Sequence, residues 1–130
     1  KTKAVIITTP SNPTGMVMTE EQLRGIADFA VEKDIIVIAD EIYEKLIYSK
    51  DKKHISIASF NQEIYDRTIT VNGVSKSYAM TGWRIGYTAS PLKIAKLMAS
   101  MQSHMTSNPN SIAQRQRLRQ SRDLRTVWSR

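Results

Sequence analysis

Lys76 stands between two serines, Ser75 and Ser77, just beyond the apolar run at residues 68–71. Arg84 follows eight positions later, flanked by Gly82 and Gly86. A lysine amine that is desolvated or set beside other cations becomes nucleophilic enough to form a Schiff base with a carbonyl compound. A guanidinium framed by glycines suits an anion, because it can make charge-assisted and bidentate contacts to phosphate or carboxylate. Residues 73–86 are therefore the first place to look for chemistry. Three more polar groups follow earlier apolar runs: Asn12 lies in Thr9-Pro10-Ser11-Asn12-Pro13-Thr14-Gly15 after the run at 4–7, and Asp40 and Tyr43 follow the run at 35–39. Taken singly, each has a plainer reading, namely an asparagine in a turn, an aspartate as a helix cap and a tyrosine packed with its hydroxyl at the surface. Together they fall at the ends of three successive apolar runs, and a parallel sheet gathers such ends along one crevice.

The elements that must position these groups can be read in order. Residues 4–7 are β-branched or apolar without alternation, the pattern of a strand buried on both faces, so the chain reads as beginning in mid-fold. Thr19 with Gln22 forms a capping box, and Glu20 and Glu21 complement the dipole of the helix that starts there. Leu23, Ile26, Ala27, Ala30 and Val31 make one apolar stripe on that helix, with Arg24, Asp28 and Glu32 facing water. With the run at 35–39 this gives strand, helix, strand, a βαβ unit expected to be right-handed. Residues 46–62 read as a connecting excursion around the charged turn Ser49-Lys50-Asp51-Lys52-Lys53, with His54 at the surface. Residues 68–71 and 85–89 are the third and fourth strands. About a dozen residues without a helical pattern part them, which is short for a crossover and leaves an antiparallel fourth strand open. Ser90 and Pro91 announce a helix whose stripe is Ile94, Leu97, Met98, Met101 and Met105, with the methionines expected as core filler. The run Thr106-Ser107-Asn108-Pro109 ends it, and Asn110 is placed to cap another. The fold class expected is α/β, a three-layer αβα arrangement on a mainly parallel sheet of about four strands.

Composition narrows the function classes. The 130 residues are 41% hydrophobic, enough for one domain with a core. There is no cysteine, so disulfides and thiolate metal sites are excluded, and two histidines far apart in sequence do not suggest a metal centre. No apolar run is long enough to span a membrane, and a soluble, cytoplasmic setting is expected. The net charge of +7 invites a nucleic-acid reading, but its distribution argues otherwise. Residues 115–130 hold six arginines against one aspartate, a net +5, which leaves thirteen bases against eleven acids, a net +2, for residues 1–114. The basic character belongs to a tail that departs from the domain before it.

Residues 73–86 resemble, position for position, the lysine-attachment signature of class I (fold type I) pyridoxal-phosphate aminotransferases. Asn12-Pro13-Thr14-Gly15 and Asp40-Glu41-Ile42-Tyr43 resemble that family's other two landmarks, in the same order and at fitting separations. The resemblance covers residues 1 to about 114 and is most like bacterial aspartate aminotransferases. It implies pyridoxal 5'-phosphate as cofactor, an L-amino acid, first of all aspartate, and a 2-oxo acid as substrates, and a homodimer. It also implies roles. Lys76 would carry the cofactor as a Schiff base and move the substrate's Cα proton. Asp40 would keep the pyridine nitrogen protonated, Asn12 and Tyr43 would bond the ring's phenolic oxygen, and Ser75 and Arg84 would hold the phosphate. Gly82 and Gly86 would allow close backbone approach, and Ser107 and Asn108 would lie near the phosphate at the dimer interface. The family's glycine-rich phosphate loop, ring-stacking aromatic and substrate-carboxylate arginine have no counterpart here. The chain is thus expected to be part of the large domain (residues 1–114), with residues 115–130 a departure. Alanine codons GCG GCA GCG read one base out give CGG CAG CGG, Arg-Gln-Arg, as at Arg115-Gln116-Arg117. Two other functions stay open at this stage: another enzyme of the same cofactor class, such as a lyase, decarboxylase or acyltransferase, and a non-enzymatic regulator with a basic nucleic-acid-binding arm.

Overall fold

A computed structural model describes residues 1–116. Its centre is a four-stranded sheet whose spatial order follows the chain: β1 (Ala4–Thr8), β2 (Ile36–Asp40), β3 (Thr68–Gly73) and β4 (Gly86–Ala89). β1 pairs with β2 and β2 with β3 in parallel, whereas β4 runs antiparallel to β3. The short link between the last two strands thus resolves as antiparallel. It contains two helical turns, α3 (Val74–Ser77) and a 3-10 turn at Thr81–Trp83, too little chain for a crossover.

α1 (Glu20–Glu32) begins as its sequence demands. Thr19 Oγ1 accepts from Gln22 N at 3.2 Å and Gln22 Oε1 accepts from Thr19 N at 2.9 Å, so the capping box satisfies two orphan donors. Its stripe Leu23, Ala27 and Ala30 is buried against Ile7, Val37 and Ala39, the side chains on one face of β1 and β2. The excursion contributes more than a connection. Ile57, on a 3-10 turn (Ile57–Ser59), and Ile64, on α2 (Gln62–Tyr65), are almost wholly buried in the same core. The Arg24 guanidinium lies 4.4 Å from the centroid of the Phe60 ring and ties α1 to this segment.

Two expectations change. Continuous apolar strands suggested burial on both faces, yet Ile6, on the face of β1 away from α1, is 70% exposed. Among the described residues α1 covers the Ile7 face of β1, and the opposite face is open at Ile6. Likewise α4 (Leu92–Met105) follows Pro91 as expected, but no residue on it is fully buried. Leu97, Met101 and Met105 are each about two-thirds exposed or more, so the methionines are not core filler among the described residues. The periodicity of that stripe reports a face without reporting what covers it. Past it, Asn110 Oδ1 accepts from Ile112 N and Ala113 N at 2.9 and 3.0 Å, capping the helical residues 111–116. Ala113 packs with Val74, Met80 and Ile85 in a second, smaller core. Of the arginine-rich tail, residues 117–130 lie outside the described residues. Among the described residues, no helix is long and apolar enough to cross a membrane.

Candidate active site at the strand ends

The carboxyl ends of β1, β2 and β3 lie side by side. Thr8 pairs with Asp40, and Asp40 with Val71, so the loops that leave the three strands start from one edge. Beyond β1 the ladder continues, with Thr9 N donating to Asp40 O at 3.3 Å, and the buried Thr9 hydroxyl accepts from Met18 N at 3.0 Å. The prolines and a positive-φ glycine then shape the loop: Gly15 (φ 68°) donates to Ser11 O and Ser11 N to Met16 O. Asn12 is displayed at its tip. Its Nδ2 donates to the Tyr43 hydroxyl at 3.2 Å across thirty-one residues of sequence.

Asp40 does not cap a helix, since turns rather than helix follow it. Its Oδ1 accepts from Ile42 N at 3.1 Å, which bends the chain and sends Tyr43 toward Asn12. Glu41 N donates to Val71 O at 2.9 Å and extends the ladder between β2 and β3 past the last strand residue. On the third strand end, α3 lifts Ser75 and Lys76 from Gly73. Lys76 is exposed, and its Nζ lies 5.4 Å from the centroid of the Tyr43 ring. Asn12, Tyr43 and Lys76 thus form one connected group.

Asp40, Ser75 and Arg84 line a single cleft of about 290 Å³ with Ile42, Asn72, Gly73, Ile85 and Gly86. Arg84 is held in the left-handed region (φ 52°, ψ 45°), a costly backbone for a side chain with a Cβ, and its Nη1 donates to Thr81 O at 2.8 Å. Ala79 is left-handed as well (φ 53°), so the link carrying Lys76 and Arg84 is bent at two non-glycine positions. Arg84 also borders a second cleft of about 540 Å³ with Trp83, Pro109, Asn110 and Ile112. Ser107 and Asn108 line neither cleft; Asn108 Nδ2 donates to Pro109 O at 2.8 Å.

Three features escaped the sequence reading. Within the chain the tightest approach is at Gly73: a Cβ there would stand 2.9 Å from Ile42 Cδ1 and 3.0 Å from Ile85 O, while one on Gly82 would meet nothing within 4 Å and one on Gly86 only Asn72 O at 3.4 Å. Asn72 is buried beneath the cleft, its Oδ1 accepting from Gly73 N at 2.7 Å. His54 is not a surface residue, for its side chain is 16% exposed and its Nε2 lies 2.9 Å from Oε2 of the buried Glu41. Among the described residues, Glu41, Glu44 and His54 form a group whose ligand atoms lie within 4.8 Å of one another.

The donor set fits a small aromatic aldehyde phosphate such as pyridoxal phosphate. It offers an exposed amine for a carbonyl carbon, a carboxylate for a protonated ring nitrogen, a phenol and an amide for a ring oxygen, and a hydroxyl with a guanidinium for a phosphate.

The chain as a whole is similar to known proteins. The chain is 54% identical over 114 residues to an aspartate aminotransferase of Bacillus subtilis, covering 88% of this chain and 29% of that one. Against an aspartate aminotransferase of Pyrococcus abyssi it is 50% identical over 126 residues, 97% of this chain and 32% of the relative. Among solved structures, the aromatic aminotransferase from Pyrococcus horikoshii superposes with a TM-score of 0.82 at 50% identity, over 86% of this chain and 30% of that one. The aspartate aminotransferase of Thermus thermophilus with maleate gives 0.80 at 45%, over 86% and 28%. The chain therefore spans about three tenths of the length of the curated relatives it matches. The model of the family described as aminotransferase class I and II matches residues 1–123, which takes in every strand end described above. By its sequence and by its sheet, this chain belongs to the class I and II aminotransferases.

Proposed function

We propose that these residues form the cofactor-holding part of a pyridoxal-phosphate-dependent aminotransferase that moves an amino group from an L-amino acid to a 2-oxo acid. The observation that carries the reading is the grouping at one sheet edge: Lys76 Nζ over the Tyr43 ring, Tyr43 bonded to Asn12, and Asp40, Ser75 and Arg84 around one cleft. Bound pyridoxal phosphate supplies an electron sink for the pair left when the substrate's Cα loses its proton. The chain's own groups do the rest. Lys76 would hold the group through its amine and would take and return the substrate's Cα proton. Asp40 holds a proton on the ring nitrogen. Asn12 and Tyr43 fix the ring oxygen, and Ser75 with Arg84 anchors the phosphate. Aspartate is the proposed amino donor, supported by the names of the Bacillus and Pyrococcus abyssi relatives. A homodimer is part of the same proposal.

The test is site-selective labelling. The chain is incubated with excess pyridoxal phosphate, reduced with borohydride and mapped by peptide mass. The adduct should concentrate on Lys76 and the visible band of lysine-bound cofactor should vanish in Lys76→Ala. Label spread evenly over the other lysines, with the band surviving in Lys76→Ala, would refute the assignment.

A further inference from the structure

Among the described residues, the pair of Glu41 and His54 is ionisable, largely buried and unused by the chemistry proposed above. Glu41 stands between Asp40 and Tyr43, its side chain 6% exposed, and it meets His54 at 2.9 Å. A carboxylate withdrawn from water destabilises the fold unless it is paired and hydrogen-bonded. Among the described residues the imidazole has one polar contact: Nε2 faces Glu41, and His54 Nδ1 is buried without a partner. Glu44 adds a second carboxylate to the group, itself 3.7 Å from Lys45 Nζ.

The pair reaches the site through backbone. Glu41 O accepts from Glu44 N at 2.9 Å and Tyr43 O from Leu46 N at 2.8 Å, so residues 41–46 fold into consecutive turns. Two side chains hold these turns down. Ile42 packs so closely over Gly73 that a Cβ there would lie 2.9 Å from its Cδ1, and Glu41 is gripped by His54. Tyr43 departs from the segment so held and meets Asn12 and Lys76.

We propose that His54 is a positioning residue: by pairing with the buried Glu41 carboxylate it fixes the turn that carries Tyr43, and so aims the phenol at Asn12 and Lys76. The catalytic meaning of this role rests on reading Tyr43 as a cofactor contact, but the geometry is testable without cofactor.

The full chain is labelled at tyrosine Cζ with carbon-13, and the Tyr43 resonance is assigned by its loss in Tyr43→Phe. His54→Ala should displace that resonance and abolish its response to Asn12→Ala, and His54→Gln, which restores a donor, should bring both back. His54→Ala strands a buried charge and risks unfolding, so the double variant His54→Ala/Glu41→Gln is measured beside it. This variant has neither the charge nor the tether. Its melting temperature should return toward that of the parent while Tyr43 stays displaced. An unmoved Tyr43 resonance in the folded double variant overturns the proposal, and so does a displacement in His54→Ala that His54→Gln fails to reverse. Tyr43 that responds to His54 in a chain whose Lys76 takes no label supports the positioning role and sinks the assignment of Lys76 as the attachment point instead.

Discussion

Replacing Gly73 by alanine tests the packing that brings the second and third strand ends together. The backbone at Gly73 is extended (φ −170°), a conformation any residue adopts, so the penalty must come from space alone. The added Cβ would sit 2.9 Å from Ile42 Cδ1, 3.0 Å from Ile85 O and 3.4 Å from Gly86 Cα. The isoleucine tip can rotate away, but the carbonyl and Cα belong to the neighbouring backbone and move only with the strand. Overpacking of this kind costs about 1–3 kcal/mol, and removing a glycine from the unfolded chain gives back about 0.4–1 kcal/mol. Two of the three contacts are to backbone that cannot give, so the upper half of the overpacking range, about 2–3 kcal/mol, applies, and the net is a destabilisation of about 1–2.6 kcal/mol, a fall in Tm of roughly 3–13 °C for a domain of this size. Urea unfolding monitored by the tryptophans and thermal melting by circular dichroism both read it. Gly82→Ala is the control, since its Cβ would meet nothing within 4 Å and should stabilise by about 0.4–1 kcal/mol through the unfolded chain alone. Equal effects at the two glycines, or a Gly73→Ala chain as stable as the parent, would refute the packing argument.

Arg84→Ala should weaken pyridoxal phosphate binding by about 10- to 100-fold, the loss of a charge-assisted contact, and leave the binding of pyridoxal, which lacks the phosphate, unchanged in equilibrium dialysis; equal losses for both would remove the phosphate role from this residue. Thr19→Ala breaks one arm of the capping box and should cost about 1 kcal/mol in urea unfolding, while Thr19→Ser should keep most of it. An unchanged midpoint for the alanine variant would mean that α1 is held by its buried stripe alone.

The parts of this fold that local rules govern were readable before any coordinates. The capping box at Thr19 and Gln22, the apolar stripe of α1 and the three β-branched runs each depend on neighbours a few positions away, and the structure places them as read. The candidate site was readable for a related reason. In a parallel sheet the strand ends coincide, so Asn12, Asp40 and Lys76 need only follow three consecutive strands to arrive at one edge. What stayed hidden depends on the path of irregular chain. Nothing local tells that His54 will return to Glu41 across thirteen residues, or that Ile64 will enter the core from what reads as a connector. The crowding around Gly73 is hidden because a sequence shows where a side chain is missing but not what fills the gap. The stripe on α4 reads as core because periodicity cannot separate a face that is covered from one that is not.

The order β1-β2-β3-β4 has a consequence for growth of the sheet. Because each neighbouring pair of strands is hydrogen-bonded along its ladder, no gap is left between them for a strand from elsewhere to enter. Additional strands can join only at the outer ladder of β1 or of β4. The loops bearing Asn12, Asp40 with Tyr43, and Ser75 with Lys76 leave three contiguous strands, so enlargement at either rim moves none of them apart. The edges are free to vary while the interval between them stays constant, and a sheet of this topology can be widened around its site without being redrawn there.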